Sequence, residues 1–91
     1  MDSTDRQIAL VKHLKDEQRF ERTKDNATGI LEYTIENESM VIHHTFVPIE
    51  LRGQGIAAQL AGAAITFATN NGLKIIPKCT YIAKYQARRK L

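Results

Sequence analysis

An apolar, β-branched run from Met40 to Val47 stops at Pro48, and after a four-residue hinge Arg52-Gly53-Gln54-Gly55 leads into an alanine-rich helical pattern. Few other features of this chain restrict its folding as strongly. A strand that feeds a glycine turn and then a helix must be covered by that helix and followed by a roughly parallel strand, through a right-handed crossover. The same order aims the unpaired N–H groups of the helix start at one point, where the helix dipole adds partial positive charge. Glycines let the backbone approach an anion with no Cβ in the way. The segment therefore predicts a phosphate or pyrophosphate ligand.

The rest of the chain limits what can surround this unit. Its 91 residues predict a single domain over 1–91, with ordinary apolar (43%) and charged (25%) content for a folded soluble protein. No window approaches the roughly 20 apolar residues of a membrane span, so no membrane partner is expected. Met1-Asp2-Ser3-Thr4-Asp5-Arg6 has the wrong character for a secretory leader, and the lone Cys79 cannot form an internal disulfide. Both point to a cytoplasmic protein. The net charge of +3 gathers partly in Lys84 and Arg88-Arg89-Lys90, which read as a solvated basic tail. Without a broad basic face or stacking aromatics, no nucleic-acid partner is expected.

Before the central unit the chain reads as extended segments joined by turns. Ile8 to His13 fits a strand better than a helix, because Lys15-Asp16-Glu17 after it reads as a turn. Gln18 to Thr23 alternates poorly, with Phe20 its only large apolar anchor. Lys24-Asp25-Asn26 and Glu36-Asn37-Glu38 are turn clusters, and between them Gly29 to Ile35 is a good strand. Ser39 to Val47 is the strongest strand signal in the chain. Gln54 to Thr69 reads as a helix with an inner stripe of Ile56, Leu60, Ala64 and Phe67, and Asn71-Gly72 stops it. Lys74 to Lys78 is a short strand. A final helix runs from Tyr81 to about Lys90, capped by Thr80, with Tyr81, Ile82 and Tyr85 inward. The fold expected is α+β: a mixed, mostly antiparallel sheet with a parallel strand–helix–strand unit and a C-terminal helix.

Two phosphate-binding patterns fail on their own terms. Gly53-x-Gly55-x-x-Ala58 satisfies the dinucleotide fingerprint formally, but four residues separate the strand from the glycines. No Asp or Glu follows Glu50 to hold a ribose. A P-loop needs a Gly-Lys-Ser/Thr sequence that is absent.

Arg52-x-x-Gly55-x-Ala57, by contrast, resembles the R/Q-x-x-G-x-G/A acyl-CoA motif of the GNAT acetyltransferase superfamily. His44-Thr45-x-Val47-Pro48, Arg52-Gly53-x-Gly55-Ile56-Ala57 and Pro77-x-Cys79 together resemble its small, single-domain members of about a hundred residues, over roughly residues 40 to 86. The resemblance implies acetyl-CoA as cofactor. It puts Thr45, Phe46 and Val47 along the pantetheine arm and Arg52, Gly53, Gln54, Gly55, Ile56 and Ala57 around the pyrophosphate. It also implies that strands 40–47 and 74–78 splay to leave a slot for the thioester. Pro48 suits such a strand end, because it cannot donate a ladder hydrogen bond.

Two residues are candidates for catalysis. Cys79 ends the last strand just before a helix, with Lys78 beside it, a setting that can favour the thiolate. It could accept the acetyl group transiently, line the thioester pocket, or be an inert core thiol. His43 and His44 are adjacent, and strand alternation sends them to opposite faces. His44 fits the family pattern and is the candidate base, although a structural ring is as compatible with its position. Tyr81 and Tyr85, four apart, read first as core, and the resemblance adds the option of protonating the leaving CoA thiolate. No metal-ligand spacing occurs among His13, His43, His44 and Cys79.

The expected function is an acetyl-CoA-dependent N-acetyltransferase, acting directly or through Cys79 on an amine, either a small molecule or a protein or peptide. The alternative is a CoA-binding or protein-interaction module with little turnover, since the chain is short for an enzyme of this superfamily.

Overall fold

The computed structural model of the protein describes residues 10–89. Five strands form one sheet in chain order: β1 (Lys12–Leu14), β2 (Arg19–Lys24), β3 (Ala27–Glu36), β4 (Ser39–Phe46) and β5 (Lys74–Pro77). The first four pair antiparallel, and β5 joins β4 in parallel after the crossover helix α1 (Ile56–Asn70). Helix α2 (Thr80–Arg89) follows β5. This is the mixed sheet with a strand–helix–strand unit and a C-terminal helix that the order of patterns predicts.

Tight turns set the antiparallel register. Asp25 and Asn26 both hold positive φ (52° and 67°), as a two-residue hairpin between Lys24 and Ala27 requires. Asn37 (φ 59°) does the same before the Glu36–Ser39 pair. Lys15–Glu17 forms a single 3₁₀ turn that folds β1 onto β2. β1 is shorter and later than the strand expected over Ile8 to His13, where Ile8 and Ala9 lie outside the described residues.

The described helices cover one face of the sheet. Phe20, Leu31, Tyr33, Met40 and Ile42 meet Ile56, Leu60, Ala61, Ala64 and Ala68 of α1 and Ile82 of α2 in one buried cluster. Small residues on α1 allow the close approach: Gly29 on β3 leaves so little space that a Cβ there would stand 2.9 Å from Ile56 Cγ2. Phe67, expected in the stripe, packs at its edge, and the stripe also takes in Gln59, which is only 7% exposed. Strand alternation sends Ile30, Glu32 and Thr34 to the opposite face, together with their β4 partners Phe46, His44 and Val41, of which Val41 is buried and the other two exposed. No described helix packs its buried residues there. Neither helix is long and apolar enough to cross a membrane.

Both helices start and stop differently in detail from their sequence patterns. α1 begins two residues after Gln54, because Gly53 and Gly55 take left-handed φ (78° and 77°) and hold the chain in a turn until Ile56. Its end is a Schellman turn, with Leu73 N–H bonded to Ala68 C=O at 2.8 Å and Gly72 left-handed. α2 is not capped by Thr80: the Cys79 carbonyl accepts the Ala83 N–H (3.2 Å), so Cys79 stands in the cap position and Thr80 opens the first turn. Lys90, at the end of the expected helix, lies outside the described residues.

Candidate functional site

The parallel pair β4–β5 is short. Its register runs from Ser39–Lys74 to Ile42–Pro77, and the Lys78 N–H reaches the Ile42 C=O (3.0 Å) as the final bond. Pro77 closes β5, while β4 continues through His43, His44, Thr45 and Phe46. Of these four, His44, Thr45 and Phe46 pair with β3 on one side, and among the described residues none has a strand partner on the other. The splay expected between these strands is therefore present, and among the described residues no strand pairs with the β4 edge along it.

The glycine turn lies beyond the end of that edge. A cavity of about 260 Å³ is lined by Val47, Leu51, Arg52, Gly53, Gly55, Ile56, Ala57, Ala58 and Tyr81. Gly55 occupies the cap position of α1 with no side chain to offer, so the first-turn N–H groups of the helix have no side-chain cap. Neither Gly53 nor Gly55 has any atom within 4 Å of where a Cβ would stand, so their role here is conformational rather than steric. Arg52 is held by its Nε donating to the Val47 carbonyl (3.1 Å). The side chain of Gln54 is tied elsewhere: its Nε2 donates to the Glu50 carbonyl (3.0 Å) and its Oε1 accepts from Lys24 Nζ (2.7 Å).

Cys79 sits in the splay opposite Thr45. Burial pushes its thiol up, but the Ile82 and Tyr81 N–H groups, and the Thr45 hydroxyl and N–H, outweigh that and bring the net value below the ordinary one. The Thr45 hydroxyl beside it is buried and makes no hydrogen bond of ordinary geometry among the described residues. Tyr81 forms one cavity wall and stacks on Tyr85 with ring centroids 6.2 Å apart. Burial, with Tyr85 beside it, pushes the Tyr81 phenol up, so it stays protonated at neutral pH.

The two histidines do not go to opposite faces. The ladder slips between Glu32–His44 and Tyr33–Ile42, leaving His43 without an opposite residue on β3. This β-bulge turns both rings to the uncovered face. There His43 bonds Thr34, and His44 stacks with Phe46 at 6.4 Å, both exposed. Of the expected site residues, Val47, Arg52, Gly53, Gly55, Ile56 and Ala57 line one cavity, and Thr45 and Cys79 meet in the splay. His44 and the Phe46 ring lie on the other face of the sheet, and Gln54 stands outside the cavity lining. Leu51 and Ala58 complete the lining without having been singled out, although both fall inside the motif segment.

Comparison with known proteins agrees with this architecture. Residues 19–90 match the family model of the GCN5-related N-acetyl-transferases. Protein NATD1 of Xenopus tropicalis is 39% identical over 67 residues, which are 74% of this chain and 61% of its own length. Human NATD1 is also 39% identical over 67 residues, 58% of its length. The match thus spans about three fifths of these curated relatives. The solution structure of a GCN5-like candidate N-acetyltransferase from Staphylococcus aureus superposes with a TM-score of 0.66 at 34% identity, covering 88% of this chain and 78% of that one. With the family pattern covering most of its length and the fold shared, this chain belongs to the GCN5-related N-acetyltransferase family.

Proposed function

We propose that the protein is an acetyl-CoA-dependent N-acetyltransferase that passes the acetyl group through Cys79 to an amine. The observation that carries this reading is the succession of three parts: a β4 edge that no described strand pairs, a cavity at an uncapped helix start, and a thiol at the end of β5 facing the splay. The free edge suits the amide-bearing pantetheine arm, which can add to it as a strand would. Backbone N–H groups of Ile56, Ala57 and Ala58, with Arg52 nearby, suit the pyrophosphate. Acetyl-CoA bound in this way supplies an activated thioester to the splay.

The chain's own residues then divide the work. Cys79, whose thiol is more acidic than an ordinary one despite its burial, is the nucleophile for the thioester carbon. The N–H groups around it suit the developing oxyanion as well. Tyr81, protonated and in the cavity wall, is placed to give a proton to the departing CoA sulfur. The sheet face that the described helices leave uncovered suits the approach of the amine, compatible with a small molecule or a protein side chain.

Intact-protein mass spectrometry after incubation with acetyl-CoA tests this. An acetyl increment that localises to Cys79, disappears in Cys79→Ala and is discharged by amines is the expected result. Acetyl transfer that persists undiminished in Cys79→Ala leaves direct attack as the mechanism. No binding of acetyl-CoA in a thermal-shift or calorimetric titration overturns the reading altogether.

A further inference from the structure

The bulge in β4 joins three polar side chains that acetyl-CoA binding does not use. His43 Nε2 lies 2.8 Å from Thr34 Oγ1, and Thr34 Oγ1 donates to Glu36 Oε2 at 3.1 Å. An ionised carboxylate only accepts, so the one hydroxyl hydrogen of Thr34 is committed to Glu36. The threonine oxygen must then accept from His43, which puts a hydrogen on Nε2. A neutral imidazole has one N–H, so Nδ1 keeps its lone pair. The pair of side chains on β3 thereby selects the histidine tautomer.

The position of this ring matters as much as its tautomer. His43 is the first β4 residue past Ile42, whose carbonyl takes the last β4–β5 bond. It therefore stands where the splay opens, on the face that the helices leave uncovered. Its neighbour His44 lies against Phe46 with no hydrogen bond to select a tautomer among the described residues. The charged and titratable side chains sharing this face are Lys12 on β1, Arg19 and Glu21 on β2, Glu32 and Glu36 on β3, His44 on β4, Lys74 on β5 and Lys78 just past β5, the last of these next to His43 in the β4–β5 register.

We propose that Nδ1 of His43 is the base for the acceptor amine, with Thr34 and Glu36 as positioning residues. The inference rests on the acetyl-transfer reading above. As the amine nitrogen bonds to the acetyl carbon, its surplus proton passes to Nδ1. The carbon–sulfur bond breaks and its electron pair leaves on sulfur, whether that sulfur is Cys79 or CoA. The imidazolium that results still donates through Nε2 to Thr34, and the chain ends on the negative charge of Glu36.

The test follows acetyl transfer from acetyl-CoA to methoxyamine, whose own titration lies below that of imidazole, with n-butylamine and a lysine-containing peptide as further acceptors. His43→Gln is expected to lower kcat by about 100-fold or more while acetyl-CoA binding is retained, and to remove the acid limb of the pH–rate profile. Thr34→Val is expected to lower kcat and Thr34→Ser to restore it, a pattern that a purely structural role for Thr34 does not predict. Full kcat and an intact acid limb in folded His43→Gln overturn the inference and leave acetyl-CoA use standing. If His43→Gln fails to fold, side-chain ¹⁵N NMR of the wild type decides: the proton on Nε2 supports the proposal and a proton on Nδ1 overturns it. Wild-type protein that binds acetyl-CoA but acetylates none of the three amines also overturns it. Failure of the wild type to bind acetyl-CoA removes both readings together.

Discussion

His13 Nε2 lies 2.6 Å from the Tyr33 hydroxyl, a bond that ties edge strand β1 to β3 across the intervening β2. The imidazole also stacks on Phe20 (centroids 4.0 Å apart, planes within 10°) and meets the edge of Phe67 on α1 at 4.6 Å. A three-residue edge strand has few ladder bonds of its own, so this ring supplies much of what holds it. Burial, and then the charge of Lys15, lower the His13 pKa from its ordinary 6.5.

A folded-state pKa below the unfolded one means that the unfolded chain binds the extra proton first. The stability contributed by neutral His13 is therefore present above about 6.5 and falls as pH drops from there through the lower folded value. The urea midpoint is expected to fall between about pH 7 and about pH 5, and to fall less in His13→Gln. Denaturation curves at the two pH values check this.

Gly29→Ala is expected to destabilise the fold by about 1–3 kcal/mol. The new Cβ would stand 2.9 Å from Ile56 Cγ2 and 3.4 Å from Leu60 Cδ1, both buried side chains of α1 that must shift to admit it. Because Ile56 also lines the cavity at the glycine turn, a thermal-shift titration with CoA is expected to show weakened binding as well.

Gln59, buried within the apolar stripe of α1, accepts from Arg22 Nε at 2.8 Å, while Arg22 Nη1 donates to the Thr23 carbonyl (2.6 Å). Gln59→Leu strands the Arg22 Nε donor and is expected to cost roughly 1–3 kcal/mol. Adding Arg22→Met to it is expected to recover part of that loss, because both partners are then apolar. Denaturant melts of the two single variants and the double variant measure the coupling.

Alkylation of Cys79 by iodoacetamide is expected to stay fast to lower pH than that of a cysteine in an unfolded peptide, since the donors around the sulfur favour the thiolate over the opposing effect of burial. Thr45→Val removes the hydroxyl and is expected to move the midpoint of the pH–rate curve upward, with the Tyr81 and Ile82 N–H groups still in place. A midpoint that does not move shows that Thr45 adds nothing to the thiol's acidity.

What could be read from the chain was whatever depends on residues a few positions apart. Alternation in 29–35 and 39–47, the Asp25-Asn26 and Asn37 turns, the α1 stripe and the Asn71-Gly72 stop are all local, and the elements follow them. The family motif is local too, and its residues Val47, Arg52, Gly53, Gly55, Ile56 and Ala57 assemble around one cavity. What remained hidden were contacts between distant residues: His13 with Tyr33, Arg22 with Gln59, Thr45 with Cys79. The bulge at His43 belongs with them. Alternation places adjacent histidines on opposite faces, but one unpaired residue in the β3–β4 ladder turns both outward, and only the register of two strands decides where that residue falls. The sequence by itself thus determined the strand–turn–helix unit and the family motif it carries, because backbone geometry follows from residue type over one or two turns. Tertiary structure alone decided on which face of the sheet each histidine lies and which residues surround Cys79, because those depend on pairing between strands that the chain pattern does not encode.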